Sequence, residues 1–167
     1  MKKIFVFLGF LIMGIMSFAQ IEFVDLGLSV RWATCNVGAK SPEGYGKLYL
    51  FEETKQFNTK NNRLPTVDEM EDLVKSCIWE WTTQNGVNGY KVTSKRNGNS
   101  IFLPAAGQKY GDGISQVGEV GMYWSGTESK PYPYFVWILE IWYHGGEQCY
   151  TSKIGRDHKL SVRLVCD

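Results

Sequence analysis

Serine, histidine and aspartate residues that could carry out nucleophilic catalysis are present, but their spacing matches no catalytic motif. Ser125, His144 and His158 could join an aspartate in a Ser-His-Asp set. The Gly-x-Ser-x-Gly turn that exposes a nucleophilic serine is absent around Ser125. Both histidines lie near glycine-containing turns, where solvated polar residues are expected. No catalytic residue is therefore predicted, and the chain is not expected to be an enzyme.

A glycine-rich stretch superficially resembles a phosphate-binding loop. Gly111-Asp112-Gly113 is followed by Gly118, but the Lys-Ser/Thr ending of such loops is missing and no helix signal follows. The whole stretch from Gly107 to Gly121 is rich in glycine and poor in hydrophobic residues, which predicts a long irregular loop. No cofactor is expected.

An aromatic segment from Tyr132 to Tyr143 is the strongest candidate for binding chemistry. In a strand its residues alternate between two largely apolar faces, as expected of a central strand buried on both sides. Aromatic rings at the ends of such a strand could instead stack on sugars or hold a protein. We expect Leu139 and Ile141 to be core. The predicted ligand-binding residues are Tyr132, Tyr134, Trp137, Trp142, Tyr143 and His144.

The first residues are typical of an export signal. Lys2-Lys3 precede an apolar stretch from Ile4 to Met16, and Ser17 and Ala19 place small residues before a cut at Gln20. The apolar stretch is shorter than the about 20 residues that span a bilayer. We expect a signal peptide over residues 1–19, no membrane span after cleavage and a single domain over residues 20–167. The protein would then be periplasmic, surface-attached or extracellular.

Export changes the expected chemistry of the cysteines, because disulfides form in oxidising compartments. No Cys-x-x-Cys pair is present and two histidines are too few for an ordinary zinc site, so no metal is predicted. If the last two strands form a hairpin around residues 155–159, Cys149 faces Cys166 at a distance that a disulfide tolerates. Cys35 and Cys77 are then left to pair.

Charge and composition exclude several function classes. The chain has 167 residues, of which 21% are charged, and its formal net charge is +1. No run of like charge longer than Lys2-Lys3 stands out, so no nucleic-acid partner is expected. The hydrophobic fraction of 44% is ordinary for a globular domain.

The elements that must position these residues are one helix and several strands. Thr66-Val67-Asp68-Glu69 is a capping box, and apolar residues recur at helical spacing as far as Cys77. Asn97-Gly98 between two β-forming stretches predicts a hairpin. Other strands are expected at Val24–Ala33, Lys47–Phe51, Tyr123–Ser125, Tyr134–Tyr143, Glu147–Ile154 and Leu160–Cys166, with an exposed loop over Gln56–Arg63. The predicted fold class is α+β.

Five blocks of the chain together resemble the Fibrobacter succinogenes major paralogous domain family. They run in family order and span nearly the whole chain after the signal. The blocks are Val24-Asp25-Leu26-Gly27-Leu28-Ser29-Val30-Arg31-Trp32-Ala33-Thr34-Cys35-Asn36-Val37-Gly38-Ala39, Arg63-Leu64-Pro65-Thr66, Asn99-Ser100-Ile101-Phe102-Leu103-Pro104-Ala105-Ala106-Gly107, Tyr123-Trp124-Ser125-Gly126-Thr127 and Leu160-Ser161-Val162-Arg163-Leu164-Val165.

The resemblance implies an exported or surface protein of a kind common in Bacteroidetes-like bacteria. It also implies a C-type-lectin-like fold, with a helix-flanked twisted antiparallel sheet and termini close together. Lectin-like relatives often carry a bridge from the helix to the last strand, so Cys77–Cys166 is the rival disulfide. The family's common aromatic-Ala/Ser-Trp-Gly-Glu-Thr stretch is replaced here by Tyr49-Leu50-Phe51-Glu52-Glu53-Thr54. The lectin motifs Glu-Pro-Asn, Gln-Pro-Asp and Trp-Asn-Asp are absent, which argues against calcium-dependent sugar binding.

Three classes of function stay open from the sequence. The first is an exported binding or adhesion module that recognises a glycan or a surface protein through the loops and aromatic residues between Gly107 and Gly146. The second is a structural or assembly component of the cell envelope, and the third is a hydrolase. The family has no general enzymatic activity, and a fold alone does not supply function. The sequence does not indicate an oligomeric state.

Overall fold

A computed structural model describes residues 21–143 and 145–167. The predicted signal peptide and the predicted ligand residue His144 lie outside the described residues. The described part of the chain has an α+β fold of mainly antiparallel sheets, which confirms the predicted class. Its helices are a 3-10 helix (Phe51–Phe57) and α1 (Val67–Ser76). Its strands are β1 (Phe23–Val24), β2 (Arg31–Ala33), β3 (Tyr49–Leu50), β4 (Cys77–Gln84), β5 (Val87–Ser94), β6 (Ser100–Pro104), β7 (Gln108–Tyr110), β8 (Gly113–Ser115), β9 (Val120–Glu128), β10 (Phe135–Tyr143), β11 (Glu147–Gly155), β12 (Lys159–Leu160) and β13 (Val165–Cys166).

The predicted capping box starts α1. Thr66 Oγ1 accepts a hydrogen bond from the Glu69 amide (3.2 Å), and Glu69 Oε2 accepts one from the Thr66 amide (2.7 Å). Arg63 pairs with both oxygens of the same carboxylate at 2.8 and 2.7 Å. Met70 and Leu73 are fully buried. The helix stops one residue earlier than the apolar spacing predicted, because Cys77 already has extended backbone and begins β4.

β4, β5 and β6 form a three-stranded sheet in that order. The predicted Asn-Gly turn joins β5 to β6, and Gly98 has a φ of +76°, which glycine adopts without steric cost. β4 was not predicted as a strand. Its residues alternate between exposed Ile78 and buried Trp79, and it pairs along its length with β5 from Cys77–Ser94 to Gln84–Val87.

β10 is the central strand of the sheet β11-β10-β9 and separates two hydrophobic clusters. Leu139 and Ile141 belong to the cluster that packs under α1, and both are fully buried, as predicted. Val136 and Ile138 face the other cluster, which also contains Trp124. Alternation along the strand therefore places the middle of β10 in the core on both faces.

The Gly107–Gly121 region is not an irregular loop. β7 and β8 form a short hairpin there, in register from Gln108–Ser115 to Tyr110–Gly113, and it joins the sheet β3-β12-β7-β8. Every residue of β8 is exposed, so the hairpin has none of the apolar alternation that would have marked it in the sequence. Likewise, Phe51 begins the 3-10 helix and does not extend the short strand β3.

The end of the chain does not form the predicted hairpin with β11. The expected strand Leu160–Cys166 is divided into β12, which pairs with β3 and β7, and β13, which pairs with β2. Between them Arg163 is almost completely buried and donates to Asn36 Oδ1 (2.9 Å), Ala33 O (2.9 Å) and Phe102 O (2.8 Å). Burial lowers the pKa of this guanidinium. These bonds connect the segment between the two strands to β2, to β6 and to the loop after β2.

The hairpin register that predicted Cys149 opposite Cys166 is therefore not formed. Cys149 lies opposite Ile141 in β10, whereas Cys166 lies opposite Arg31 in β2. All four cysteines are among the described residues, and none forms a disulfide, so neither Cys149–Cys166 nor Cys35–Cys77 nor the rival Cys77–Cys166 is present. Burial raises the pKa of the Cys77 thiol to about 11.

Candidate functional site

The segment that leads into β10 is the most exposed apolar part of the predicted ligand-binding region. Pro131 to Phe135 are all exposed, with Tyr132 at 66% and Tyr134 at 52%. The Phe135 amide donates to Tyr132 O, and the Ser129 amide donates to Phe135 O, so the segment forms a closed turn. Two prolines further restrict its backbone. The backbone that carries these rings is therefore constrained, while the ring surfaces face solvent.

The Tyr134 ring lies on a glycine at the end of the neighbouring strand. A Cβ atom built on Gly155 would lie 2.7 Å from Asp157 Oδ1 and 2.8 Å from both Cε1 and Oη of Tyr134. Only a residue without a side chain leaves room for both groups. The Arg156 amide also donates to Tyr134 O (3.2 Å). Glycine at this position thus brings the Tyr134 hydroxyl next to the Asp157 carboxylate.

The Tyr134 hydroxyl and the Asp157 carboxylate each shift the pKa of the other. The hydrogen bond to Asp157 raises the pKa of Tyr134, and the hydrogen bond from Tyr134 holds the pKa of Asp157 below its ordinary value. The charge of His158 and a hydrogen bond from Tyr110 lower the Asp157 pKa further. At neutral pH the site therefore contains an ionised carboxylate between two tyrosine hydroxyls.

A second ring pair borders the same carboxylate. The Tyr110 ring stacks on the His158 ring with centroids 4.6 Å apart and planes at 29°. His158 Nδ1 lies 2.8 Å from Gln108 Oε1, which orients the imidazole. Tyr110 is 60% exposed. We call Tyr110, Tyr134, Asp157 and His158 together the Tyr134 site.

Arg156 connects the exposed segment to neighbouring elements. Its guanidinium donates to Pro133 O (2.5 Å), Glu52 Oε1 (2.6 Å) and Glu128 Oε2 (2.6 Å). It also lies over the Phe51 ring, 5.1 Å from the centroid. One side chain thus joins the 3-10 helix, the end of β9 and the turn before β10, so the tyrosine backbone is pre-organised.

The other predicted ligand residues do not belong to this site. Trp137 is half-buried beneath the Lys153 ammonium, 4.3 Å from the ring centroid. Trp142 is half-buried and packs against the hydrophobic cluster that contains Val136 and Ile138. Tyr143 is 52% exposed but lies at the opposite end of β10, where it stacks on Trp81 with centroids 5.8 Å apart.

Sequence reasoning missed Tyr110, Gly155 and Asp157, and it treated His158 as an ordinary turn residue. No local motif connects them, because they come from β7, the end of β11 and the turn that follows. Tyr134 joins them from the loop before β10. The only signal in the sequence was the alternation of proline and tyrosine over residues 131–134.

The residues considered for catalysis and metal binding do not form a catalytic or metal site in the described part of the chain. The Ser125 hydroxyl is buried and donates to Trp137 O (2.7 Å) inside the sheet, which gives it a structural role. Within residues 21–143 and 145–167, His, Cys, Asp and Glu side chains nowhere gather in threes as metal ligands would. In the same part of the chain, no helix is both long and apolar enough to cross a membrane.

A separate cleft of about 590 Å³ lies beside the sheet β1-β2-β13. Its walls include Arg31, Lys60 and Arg63. Arg31 and Arg63 already bind Asp167, and Arg63 also binds Glu69. Among the predicted ligand-binding residues that the structure describes, none lines this cleft.

Comparisons of the chain with protein-family models, with curated proteins and with solved structures found no match. The interpretation of the Tyr134 site therefore depends on its own geometry.

Proposed function

We propose that this protein is an exported binding or adhesion module that recognises a glycan or a surface protein through the Tyr134 site, without calcium. The observation that carries the proposal is the combination of exposed rings with hydrogen-bonding groups on a rigid support. Exposed aromatic clusters usually mark interaction sites, and rings fixed in advance lose little entropy on binding. Asp157 and His158 add the polar contacts that would orient a ligand.

The proposal includes a C-type-lectin-like fold of the kind found in the Fibrobacter succinogenes major paralogous domain family. Two features support it besides the sequence blocks. β1 and β13 both pair with β2, so the two ends of the described chain lie in one sheet. A single α-helix packs on antiparallel sheets, with α1 contacting β9, β10 and β11 among the described elements.

Export is supported by the charged and apolar N-terminal residues followed by Ser17 and Ala19. Mass spectrometry of the protein recovered from the periplasm or medium is expected to find Gln20 as the first residue. Recovery of material that retains Met1 from those fractions would contradict the proposed processing.

The binding proposal is tested by screening the exported protein against arrays of glycans and host surface proteins. Tyr134→Ala is expected to weaken capture of any ligand at least about 10-fold, as aromatic anchors do. Tyr150→Ala is the matched control, because Tyr150 is an exposed tyrosine outside the site. Tyr143→Ala tests whether the ligand binds instead at the opposite end of β10.

The outcomes separate the candidate functions. Loss of binding with Tyr134→Ala but not with Tyr150→Ala supports the Tyr134 site. Loss with Tyr143→Ala alone would move recognition to the other end of β10 and refute the proposed site. Purification in an envelope complex that is unaffected by Tyr134→Ala would favour the structural or assembly role.

A further inference from the structure

The acceptor that the Tyr134 site presents to a ligand is the Asp157 carboxylate. Gln108 Nε2 donates to Gln116 Oε1 (2.9 Å), which leaves Gln108 Oε1 facing His158 Nδ1 at 2.8 Å. Because an amide oxygen only accepts, Nδ1 of His158 carries a proton. The Asp157 carboxylate has about four acceptor positions, and hydrogen bonds from the Tyr134 and Tyr110 hydroxyls and from its own amide use part of them. A matching ligand must therefore donate a hydrogen bond to the position that is left.

The charge around the site disfavours an anionic ligand. Arg156 donates to Pro133 O within the exposed segment, and Glu52 and Glu128 engage its charge. Lys55 also pairs with Glu52, and Lys130 precedes the segment in the chain. The charge at the hydroxyl end of the Tyr134 ring itself is the Asp157 carboxylate. A ligand carboxylate or sulfate placed there would be repelled by Asp157 directly.

Two further lysines lie close in the chain but belong to another face. Lys109 and Lys159 are opposite each other in the pairing of β7 with β12. Side chains alternate along a strand, so Lys109 projects away from the face that carries Gln108 and Tyr110. These ammonium groups therefore do not offset the negative charge at the site.

The shape of the site suits a flat ligand with an apolar face. The Tyr134 ring lies against Gly155 and makes a T-shaped contact with Phe135, with ring centroids 5.2 Å apart, and 52% of the residue is exposed. Asp157 lies at the hydroxyl end of that ring. A molecule stacked on the ring would thus have its edge beside the carboxylate. A pyranose has this form, with C–H bonds on its faces and hydroxyl donors around its edge.

We propose that the Tyr134 site binds a neutral hexopyranose residue, which stacks on Tyr134 while one of its hydroxyls donates to the Asp157 carboxylate. This inference rests on the proposed function and narrows its ligand from a glycan or a protein to a neutral sugar. Tyr110 and His158 form the adjoining wall. An acidic sugar bound in this way would bring its carboxylate against that of Asp157.

The test is an NMR titration of the exported, ¹⁵N-labelled protein with single-sugar probes. The probes are the methyl glycosides of glucose, galactose and mannose, the methyl glycoside of glucuronic acid, and Nα-acetyl-lysine amide as a cationic donor. Concentrations reach about 50 mM, because single sugars bind in the millimolar range. At least one neutral glycoside is expected to shift the amide signals of Gly155 and Asp157, and the glucuronide is expected to bind at least about 10-fold more weakly.

Variants identify the contacts. Tyr134→Ala and Asp157→Asn are each expected to weaken the affinity for the neutral glycoside about 10-fold or more. Tyr150→Ala is expected to leave that affinity unchanged. Binding should persist from neutral pH to about pH 4 and fall only below the ordinary aspartate pKa of about 3.9, because the Asp157 pKa is lowered. Protonation would remove the acceptor that the sugar hydroxyl needs.

Each contrary result is informative. Absence of any shift with the three neutral glycosides, or equal affinity for the glucuronide, would overturn the neutral-sugar inference. Binding of the lysine probe alone would overturn it too and would indicate a basic protein ligand, while the proposed function at Tyr134 would stand. Only a ligand found in the array screen that is indifferent to Tyr134→Ala would refute the proposed function itself.

Discussion

Replacing Gly155 with alanine should dismantle the Tyr134 site while leaving the fold intact. The new Cβ would lie 2.7 Å from Asp157 Oδ1 and 2.8 Å from two atoms of Tyr134, whereas comfortable contacts need about 3.5–4.0 Å. Those atoms must therefore retreat by about 1 Å. All of these atoms are at the far ends of exposed side chains. The Tyr134 ring and the Asp157 carboxylate can therefore rotate outward while the backbone stays in place.

The expected change in stability is small. Gly155 does not have the positive φ that only glycine adopts easily, so alanine fits its backbone conformation. Such a replacement stabilises a protein by about 0.4–1 kcal/mol through the unfolded chain. This gain opposes the loss of the contact between Tyr134 and Asp157, so we expect Tm to change by only a few degrees.

The assay is an NMR titration of the Asp157 carboxyl carbon, which needs no ligand. In Gly155→Ala the Asp157 pKa should rise toward its ordinary value of about 3.9, because the Tyr134 hydroxyl no longer donates to it. Tyr134→Phe should give the same rise without a backbone change. Gly146→Ala is the control, since a Cβ there would meet nothing within 4 Å.

Two results would refute this reasoning. An Asp157 pKa that stays low in both Gly155→Ala and Tyr134→Phe would mean that the tyrosine hydroxyl is not what stabilises the carboxylate. A large fall in Tm for Gly155→Ala would mean that the backbone, and not the two side chains, absorbs the clash.

Three further predictions concern the fold. Thr66→Ala should lower the free energy of unfolding by about 1 kcal/mol, the usual cost of losing an N-cap, and an unchanged urea midpoint would contradict the capping geometry. Trp142→Ala should cost about 2 kcal/mol or more, since the side chain is half-buried in a cluster; a ligand-binding defect with unchanged stability would instead restore it as a surface residue. Peptide mapping without reductant should recover Cys149 and Cys166 unlinked, and a linked pair would contradict the separate pairing of β11 and β13.

The parts of the fold that were predicted correctly are those that depend on residues close together in the sequence. The capping box of Thr66 and Glu69, the turn at Gly98 and the two apolar faces of β10 each depend on residues within one element or hairpin. The pairing of β13 with β2 depends on residues far apart in the chain, and the three bonds of Arg163 reach partners that no local pattern connects. The hairpin behind the predicted Cys149–Cys166 pairing was wrong because it assumed that consecutive strands pair.

The candidate site was predicted in part for a related reason. Tyr134 was among the predicted ligand-binding residues because several aromatic residues cluster in one segment. The sequence could not show which end of the strand has polar partners. The structure distinguishes the two ends, since Asp157 lies beside the ring of Tyr134 whereas Tyr143 stacks on Trp81. The middle of β10 is committed to the core on both faces. Substitutions there should change stability, and substitutions at the Tyr134 end should change recognition, so the two effects can be measured separately along one strand.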